Sequence, residues 1–240
     1  MKNFNTTPAG DRVRHYLLIA LLVLVAGCSS LRLGYNHGDT VLYWWLNAYV
    51  DLESDQKGWV KKDIDELFHW HRKTQLKDYV QVLGNAQRQL QGDVTQADLL
   101  ATYGDIKSRT QTLLFKAEPD LADLARSLRP EQLAQMEHKF AKNNEEYRKK
   151  FLRGDTAKRQ KVRFQKAMEQ FELWFGSFSR EQEEQIRQAS DIRPLNNELW
   201  LEERMLRQRN VIKLVQKVQR DKLGKEATTA LIHKLIQDSF

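Results

Sequence analysis

Cysteine occurs once in the 240 residues, proline four times and glycine eleven times. A single thiol excludes a disulfide framework, a cysteine-rich structural zinc site and a CxxC redox pair together. So little Pro and Gly leaves few turn positions, and no segment alternates apolar and polar residues as a half-buried strand does, which argues against an all-β fold. HExxH, Walker, GxGxxG and GxSxG patterns are absent as well, so the common motif-borne hydrolase, nucleotide and dinucleotide chemistries have no footing. What is present is 41% hydrophobic and 30% charged residues, with Leu, Gln, Lys, Arg, Glu and Ala recurring throughout. That mixture prefers helix. The fold class expected is all-α: antiparallel helical hairpins or a bundle of about seven to nine helices behind an N-terminal signal.

The signal occupies residues 1–27. Lys2, Arg12 and Arg14 precede a ten-residue apolar run, Tyr16–Val25, which small residues follow. At 1.5 Å per residue even ten to twelve apolar residues reach at most ~18 Å of a ~30 Å hydrocarbon core, too little for a membrane span. Val25-Ala26-Gly27-Cys28 resembles the bacterial lipobox, in which the thiol is diacylated and the signal is cut before it. The resemblance implies lipidation at Cys28, a lipidated tether over 28–38 and a single helical domain over 39–240. Each buried methylene contributes ~0.8 kcal/mol, so two or three chains anchor the protein. Ser29, where an aspartate would retain a lipoprotein at the inner membrane, resembles the pattern sent onward to the outer membrane. A plain signal-peptidase site with a free cysteine is the rival reading.

In the domain, Asp39-Thr40 can cap a nearly apolar first helix ending at Val50. A second helix is expected from Trp59 toward Gln91 with Leu76, Tyr79, Leu83 and Leu90 along one face, closed by Gly92-Asp93. Thr95 with Asp98 opens a third, striped by Leu99, Tyr103, Ile106, Thr110 and Leu113. Pro119 suits the first turn of a short fourth. After Pro130 the stripe Leu133, Met136, Phe140, Asn144, Tyr147 and Phe151 marks a further helix, and Phe164, Met168, Phe171, Phe175 and Phe178 continue the spacing. Gly154-Asp155-Thr156 either interrupts one long helix or turns a hairpin with facing aromatic stripes. The hairpin is favoured because Gly caps a helix C-terminus and Asp or Thr the next N-terminus. Ser179 with Gln182 forms a capping box opening a helix that stops before Pro194, and a basic helix from Leu195 to Gly224 precedes a last one over 227–236. The segments opening at Leu128 and Phe178 look alike, as two copies of one helix-start solution.

Candidate chemistry is thin. His69-Trp70-His71 puts two imidazoles ~200° apart on a helix, so they cannot share an ion unaided, and no metal or other cofactor is expected. Ser54-Asp55-Gln56-Lys57 matches an SxxK pattern without its companion segments. Glu53-Ser54 matches two residues of a lytic-transglycosylase motif, whose acid needs burial in a substrate groove. No catalytic residue is assigned.

Charge carries more. Arg148, Lys149, Lys150, Arg153, Lys158, Arg159, Lys161, Arg163 and Lys166 surround one acid, Asp155, for a net +8. Lys2, Arg12 and Arg14 less Asp11 carry +2 of the whole chain's +7, so the mature protein outside this window sums to −3. The hairpin would gather the cations at one tip, a field suited to an anionic envelope component or an acidic envelope protein. The alternative is an ordinary solvated surface, with Lys149, Lys150 and Arg153 favoured at a helix C-terminus. Nucleic acid is not an expected partner in that compartment. Four of the six tryptophans fall between Trp44 and Trp70, as core or as an interfacial surface.

Gly34-Tyr35-Asn36, Tyr49-Val50-Asp51-Leu52 with Gln56, Trp70-His71-Arg72 leading to Leu76 and Tyr79, the spaced Arg159 and Arg163, and Trp174 through Gln182 together resemble a family of uncharacterised bacterial lipoproteins defined by a domain of unknown function. Lys77 stands where that pattern has a proline. The resemblance implies no activity, but it singles out Trp70, His71, Arg72 and Tyr79 as a functional cluster. Phe178-Ser179-Arg180-Glu181-Gln182 also resembles the helix starts of small periplasmic stress chaperones, a likeness that capping chemistry alone produces. The expectation is therefore a non-catalytic binding or structural protein at the periplasmic face of the outer membrane. A chaperone-like holdase is the alternative and a peptidoglycan-acting enzyme the third reading.

Overall fold

The computed structural model describes residues 34–240, so Cys28 and the signal lie outside the described residues. Among these, a helical turn over 34–36 leads into nine helices and no strand. They are α1 (Gly38–Val50), α2 (Ser54–Thr74), α3 (Leu76–Gln89), α4 (Gln96–Ser127), α5 (Pro130–Phe151), α6 (Thr156–Phe175), α7 (Arg180–Asp191), α8 (Asn197–Arg220) and α9 (Lys225–Asp238). The all-α class expected from the sequence is what the chain adopts.

Several boundaries differ from expectation for local reasons. α1 starts at Gly38, before Asp39-Thr40, and Gly38 packs where a side chain would strike the Phe68 ring. Tyr35 and Asn36 already bind α2, which shortens the expected tether. α2 starts at Ser54 rather than near Trp59, because Gln56 Oε1 accepts the Glu53 amide at 2.9 Å and completes the turn. The expected helix over 59–91 is jointed at Gln75, where the Thr74 hydroxyl bonds back to the Trp70 carbonyl at 2.8 Å. Pro119 does not start a helix but lies inside α4. Its missing N–H removes one intrahelical bond, and the turns beyond it are held by burial of Ala122, Leu124 and Ala125.

Gly154, at φ +92°, and the Asp155 carboxylate, which accepts the Lys158 amide at 2.9 Å, end α5 and begin α6. The break is a turn, yet the two aromatic stripes do not face each other. α5 instead packs on α1 and α8, while Phe164 and Met168 of α6 turn toward α7. The apolar half of α8 draws α5 away.

The core gathers Tyr43, Val50, Val60, Ile64, Leu124, Leu133, Met136, Ile212 and Val215, and α9 lies antiparallel on the second half of α4 over Ala122, Ile232 and Ile236. At one end α1 turns into α2 and α4 turns into α5, and the two turns meet through buried amides. Gln56 Nε2 donates to the Ser127 carbonyl at 2.9 Å, and Gln132 Nε2 donates to the Asp51 carbonyl at 3.0 Å and to Gln56 Oε1 at 2.7 Å. Gln132 Oε1 accepts the Arg129 amide at 3.0 Å, as Gln56 does for Glu53. Each glutamine caps its own helix and clamps the other turn, and both are nearly sealed from water, at 2% and 3% exposed. Leu52 and Leu128, one residue before each cap, close the apolar side.

Away from this body, α3 touches only α2 and α4, and α7 touches only α6. Two hairpins therefore stand off the core: α3 with the first half of α4, and α6 with α7.

A buried amide left without its partner costs about 1–3 kcal/mol. Gln132→Ala is expected to destabilise the protein by about 2 kcal/mol in urea unfolding. Its cycle with Gln56→Ala should show about 1 kcal/mol or more of coupling, since each side chain loses the same partner.

Candidate functional site

The cation window resolves into two populations. Arg163 reaches across to the α7–α8 loop: Nε donates to the Ser190 hydroxyl at 3.2 Å, and Nη1 to the carbonyls of Arg193 and Pro194 at 2.9 and 3.1 Å. Nη2 bonds the Ser190 carbonyl. The Ser190 carbonyl lies in the last turn of α7, where it also accepts the Arg193 amide at 3.2 Å, and the other two belong to the loop that follows, so one guanidinium ties the end of α7 and its loop to α6. Arg159 bonds the Leu152 carbonyl at the end of α5 at 3.0 Å and pairs with Glu198 in the first turn of α8. Glu198's own backbone amide and Arg159 together hold its carboxyl below the usual range. Arg148 lies against Met205 Sδ at 3.3 Å, and Lys166 pairs with Glu169. Lys149, Lys150, Arg153, Lys158 and Lys161 remain exposed around the α5–α6 turn, with Lys149 3.6 Å from Glu145 and Lys150 over the Phe151 ring. The sequence ran the two populations together, because a clamp and a free cation share one residue type.

Trp70, His71, Arg72 and Tyr79 do come together, at the joint between α2 and α3. Tyr35 Oη lies 2.9 Å from His71 Nδ1, and Arg72 Nη2 bonds the Asn36 carbonyl at 3.4 Å while its guanidinium covers the rings of Tyr35 and Phe68. His71 also meets the Tyr79 ring edge-on with centroids 5.2 Å apart, and Lys116 of α4 stands over the Trp70 ring. These residues clasp the chain entering α1 against α2. Beneath Tyr35, Leu42, Leu67, Phe68 and Leu113 line a small apolar cavity of about 240 Å³. Burial first, and Arg72 second, hold the His71 imidazole below its ordinary pKa. With the ring neutral and protonated on Nε2, the Tyr35 hydroxyl donates to Nδ1.

Glu53 sits half-exposed at the α2 start, 3.6 Å from Arg129. That is a cap and an ion pair on the surface, not the sealed pocket a glycosidic acid requires. Two grooves are larger. One of about 550 Å³ runs between α5 and α8 along Phe140, Asn144, Arg148, Met205 and Gln208. Another of about 290 Å³ lies among α1, α2 and α4, apolar apart from Asp63 and Asp120. Burial raises both carboxyls; Asp120 and Glu66 add to this at Asp63, while Lys116 and Lys225 oppose it at Asp120.

The largest departure concerns the stripes. Leu83, Leu90, Leu99, Tyr103 and Ile106, which mark the faces of the expected second and third helices, stand between 56% and 68% exposed. Leu173, Trp174 and Phe175 at the end of α6, Ile192 after α7, and Leu199 and Trp200 on α8 are exposed too. Of the tryptophan-rich stretch, Trp59 packs on the core while Trp44 and Trp45 face outward.

Tyr49–Leu52 with Gln56 at the glutamine junction, and Tyr35-Asn36 with Trp70–Arg72 at the clasp, are among the segments that carried the family resemblance. The chain belongs to a family of unknown function, DUF6279, whose model matches residues 48–237. No curated protein and no solved structure matches it. In this DUF6279 chain the sequence missed the pairing of Glu118 with His233, whose Nδ1 lies 2.8 Å from Oε1 while its ring stacks on Phe115. Partners 115 residues apart on α4 and α9 leave no local pattern.

Two outcomes follow from the clamps. Arg163→Ala removes the four hydrogen bonds that join α6 to the end of α7 and its loop and is expected to cost about 2 kcal/mol, whereas Lys158→Ala and Lys161→Ala should stay within about 0.5 kcal/mol, read by thermal or urea unfolding. A histidine held low when folded binds more protons when unfolded, so its share of stability stands above about pH 6.5 and is lost as pH falls through the lower folded value. Protection factors of the amides over residues 35–42, corrected for the slowing of intrinsic exchange in acid, should therefore fall below about pH 6 in the native protein, and His71→Phe should flatten that dependence.

Proposed function

We propose that this protein is a lipid-anchored, non-catalytic binding protein of the bacterial envelope. Acyl chains on Cys28 hold it at the periplasmic face of the outer membrane, and the α5–α6 turn takes an anionic envelope component. The observation carrying the binding reading is the set of five exposed cations, Lys149, Lys150, Arg153, Lys158 and Lys161, around one turn. Clamping by Arg159 and Arg163 fixes that turn against α7 and α8, so the cations are presented on a rigid mount. A rigid cluster loses little freedom on binding and suits phosphate or carboxylate groups.

The holdase reading rests on a different observation, the exposed Leu173, Trp174, Phe175 and Ile192 on the α6–α7 hairpin. An apolar arm of this kind suits an unfolded client. The enzyme reading loses its candidate acid, since Glu53 caps α2 beside Arg129.

Labelling of growing cells with an alkynyl fatty acid should mark the wild-type protein and not Cys28→Ala; equal labelling removes the anchor. Photo-cross-linking from position 157 in intact cells should trap an envelope component. The triple reversal Lys150→Glu/Arg153→Glu/Lys158→Glu should cut that adduct about fivefold or more, each cation contributing about 1 kcal/mol near an anionic surface. An unchanged adduct rejects the basic turn as the site, and suppression of client aggregation by the full-length protein in detergent would favour the holdase.

A further inference from the structure

The hairpin formed by α3 and the first half of α4 is built inside out. Polar groups face one another between its helices: Gln89 Nε2 donates to Asp98 Oδ1 at 3.4 Å, the Thr102 hydroxyl bonds Gln89 Oε1 at 3.5 Å, and the mostly buried Arg109 donates to Asp78 Oδ1 at 3.0 Å. The large apolar side chains point the other way. Leu83, Leu90, Leu99, Leu100, Tyr103 and Ile106 are each more than half exposed, at helical spacing on their own helices. A hairpin in water reverses this arrangement, burying its apolar stripe between the helices. The segment is also poor in charge. From Tyr79 to Gly104 only Arg88, Asp93 and Asp98 of 26 residues are charged, in a chain where 30% are, and Asp98 is held in the Thr95 capping box.

We propose that this hairpin is a membrane-docking element, its outward apolar face lying in the headgroup and upper acyl region of the same bilayer that holds the acyl chains of Cys28. The inference rests on the lipid-anchor reading above. It commits to lipid because of where the described chain begins. The clasp of Tyr35 on His71 and of Asn36 on Arg72 fixes the entering chain at the root of the hairpin, where α2 joins α3. Tyr35 lies seven positions after Cys28, a reach of at most roughly 23–25 Å, and the 14 residues of α3 extend ~21 Å from the same root. The anchor is thereby confined to about one hairpin length from the face that needs covering. No helix among the described residues is long and apolar enough to cross a membrane; an amphipathic hairpin lying in the interface requires no such helix. The scarcity of charge across 79–104 also lowers the cost of leaving water.

The sole native cysteine, once acylated, cannot take a thiol label, so a second cysteine reports cleanly. Full-length protein carrying Leu83→Cys, Leu99→Cys or, as a body control, the exposed Gln135→Cys would be labelled with an environment-sensitive fluorophore. It would then be reconstituted into phosphatidylethanolamine–phosphatidylglycerol vesicles containing a nitroxide lipid. Labels at 83 and 99 should be quenched about threefold more than at 135, with blue-shifted emission, as expected for side chains held at interfacial depth. Equal, weak quenching at all three sites overturns the proposal, whether the hairpin labels prove to lie against a second copy by self-quenching or respond only to an added unfolded polypeptide. Intact mass of the same samples separates the two claims. Acylated protein with hairpin labels in water defeats the docking element alone. If Cys28 is unmodified, the measurement is repeated in a Cys28→Ser background. Quenching there defeats the anchor alone, and its absence defeats both.

Discussion

Two side-chain amides that have left water determine where everything else in this protein can go. Gln56 and Gln132 each complete the first turn of their own helix and each satisfy a carbonyl of the opposite turn, so neither helix start is finished without the other. In an apolar surrounding made by Leu52 and Leu128, an unmet amide is costly, and that cost makes the junction specific rather than merely cohesive. From it α1 and α2 fold back on each other, α4 is brought alongside α2, and α5 is launched across α1 toward α8. The surrounding core of Val50, Val60, Leu124, Leu133 and Val215 contributes most of the hydrophobic driving force, while the amides fix the register in which it packs.

Against that body, the two hairpins differ in kind. The α6–α7 hairpin is tied down by Arg159 and Arg163, which spend their hydrogen bonds on helix ends and so hold the basic turn in place. The α3–α4 hairpin is joined through Gln75 and the ion pair of Arg109 with Asp78, and its apolar residues face outward. The first presents charge on a fixed mount, and the second presents hydrocarbon beside the point where the chain enters. The two surfaces differ in kind as well as in place: attraction to the first is screened by salt, whereas burial of the second is not.

Much of the fold was legible because helix chemistry is local. Thr95 with Asp98, Asp155, and Ser179 with Gln182 cap the helices that their spacing announced, and Gly154 breaks the aromatic run as its backbone freedom suggests. What was not legible depends on partners distant in sequence. The start of α2 was hidden because Glu53-Ser54-Asp55-Gln56 carries its cap in a glutamine whose other contacts lie 71 and 76 residues away. The periodicity of Leu83, Leu90, Leu99 and Tyr103 located helical faces, since a period reports that one side is apolar and is silent on what covers it. For the candidate site, the family resemblance singled out Trp70, His71, Arg72 and Tyr79, but neither the helix joint at which they meet nor the hydrogen bond of His71 with Tyr35 had a local signal. The division of the nine cations was equally invisible, because it depends on where the loop after α7 and the start of α8 pass.

The junction also bears on the order of events when the chain emerges from a ribosome or a translocation channel, N-terminus first. The Gln56 side-chain N–H appears early and finds no acceptor until Ser127 and Gln132 have followed, a little over halfway through the polypeptide. Until then α1 and α2 can pair only loosely, and the half-made chain stays pliable enough to be threaded through a narrow passage. Arrival of a single later segment then locks both turns at once, so tertiary structure in the central body is gained late and in one step.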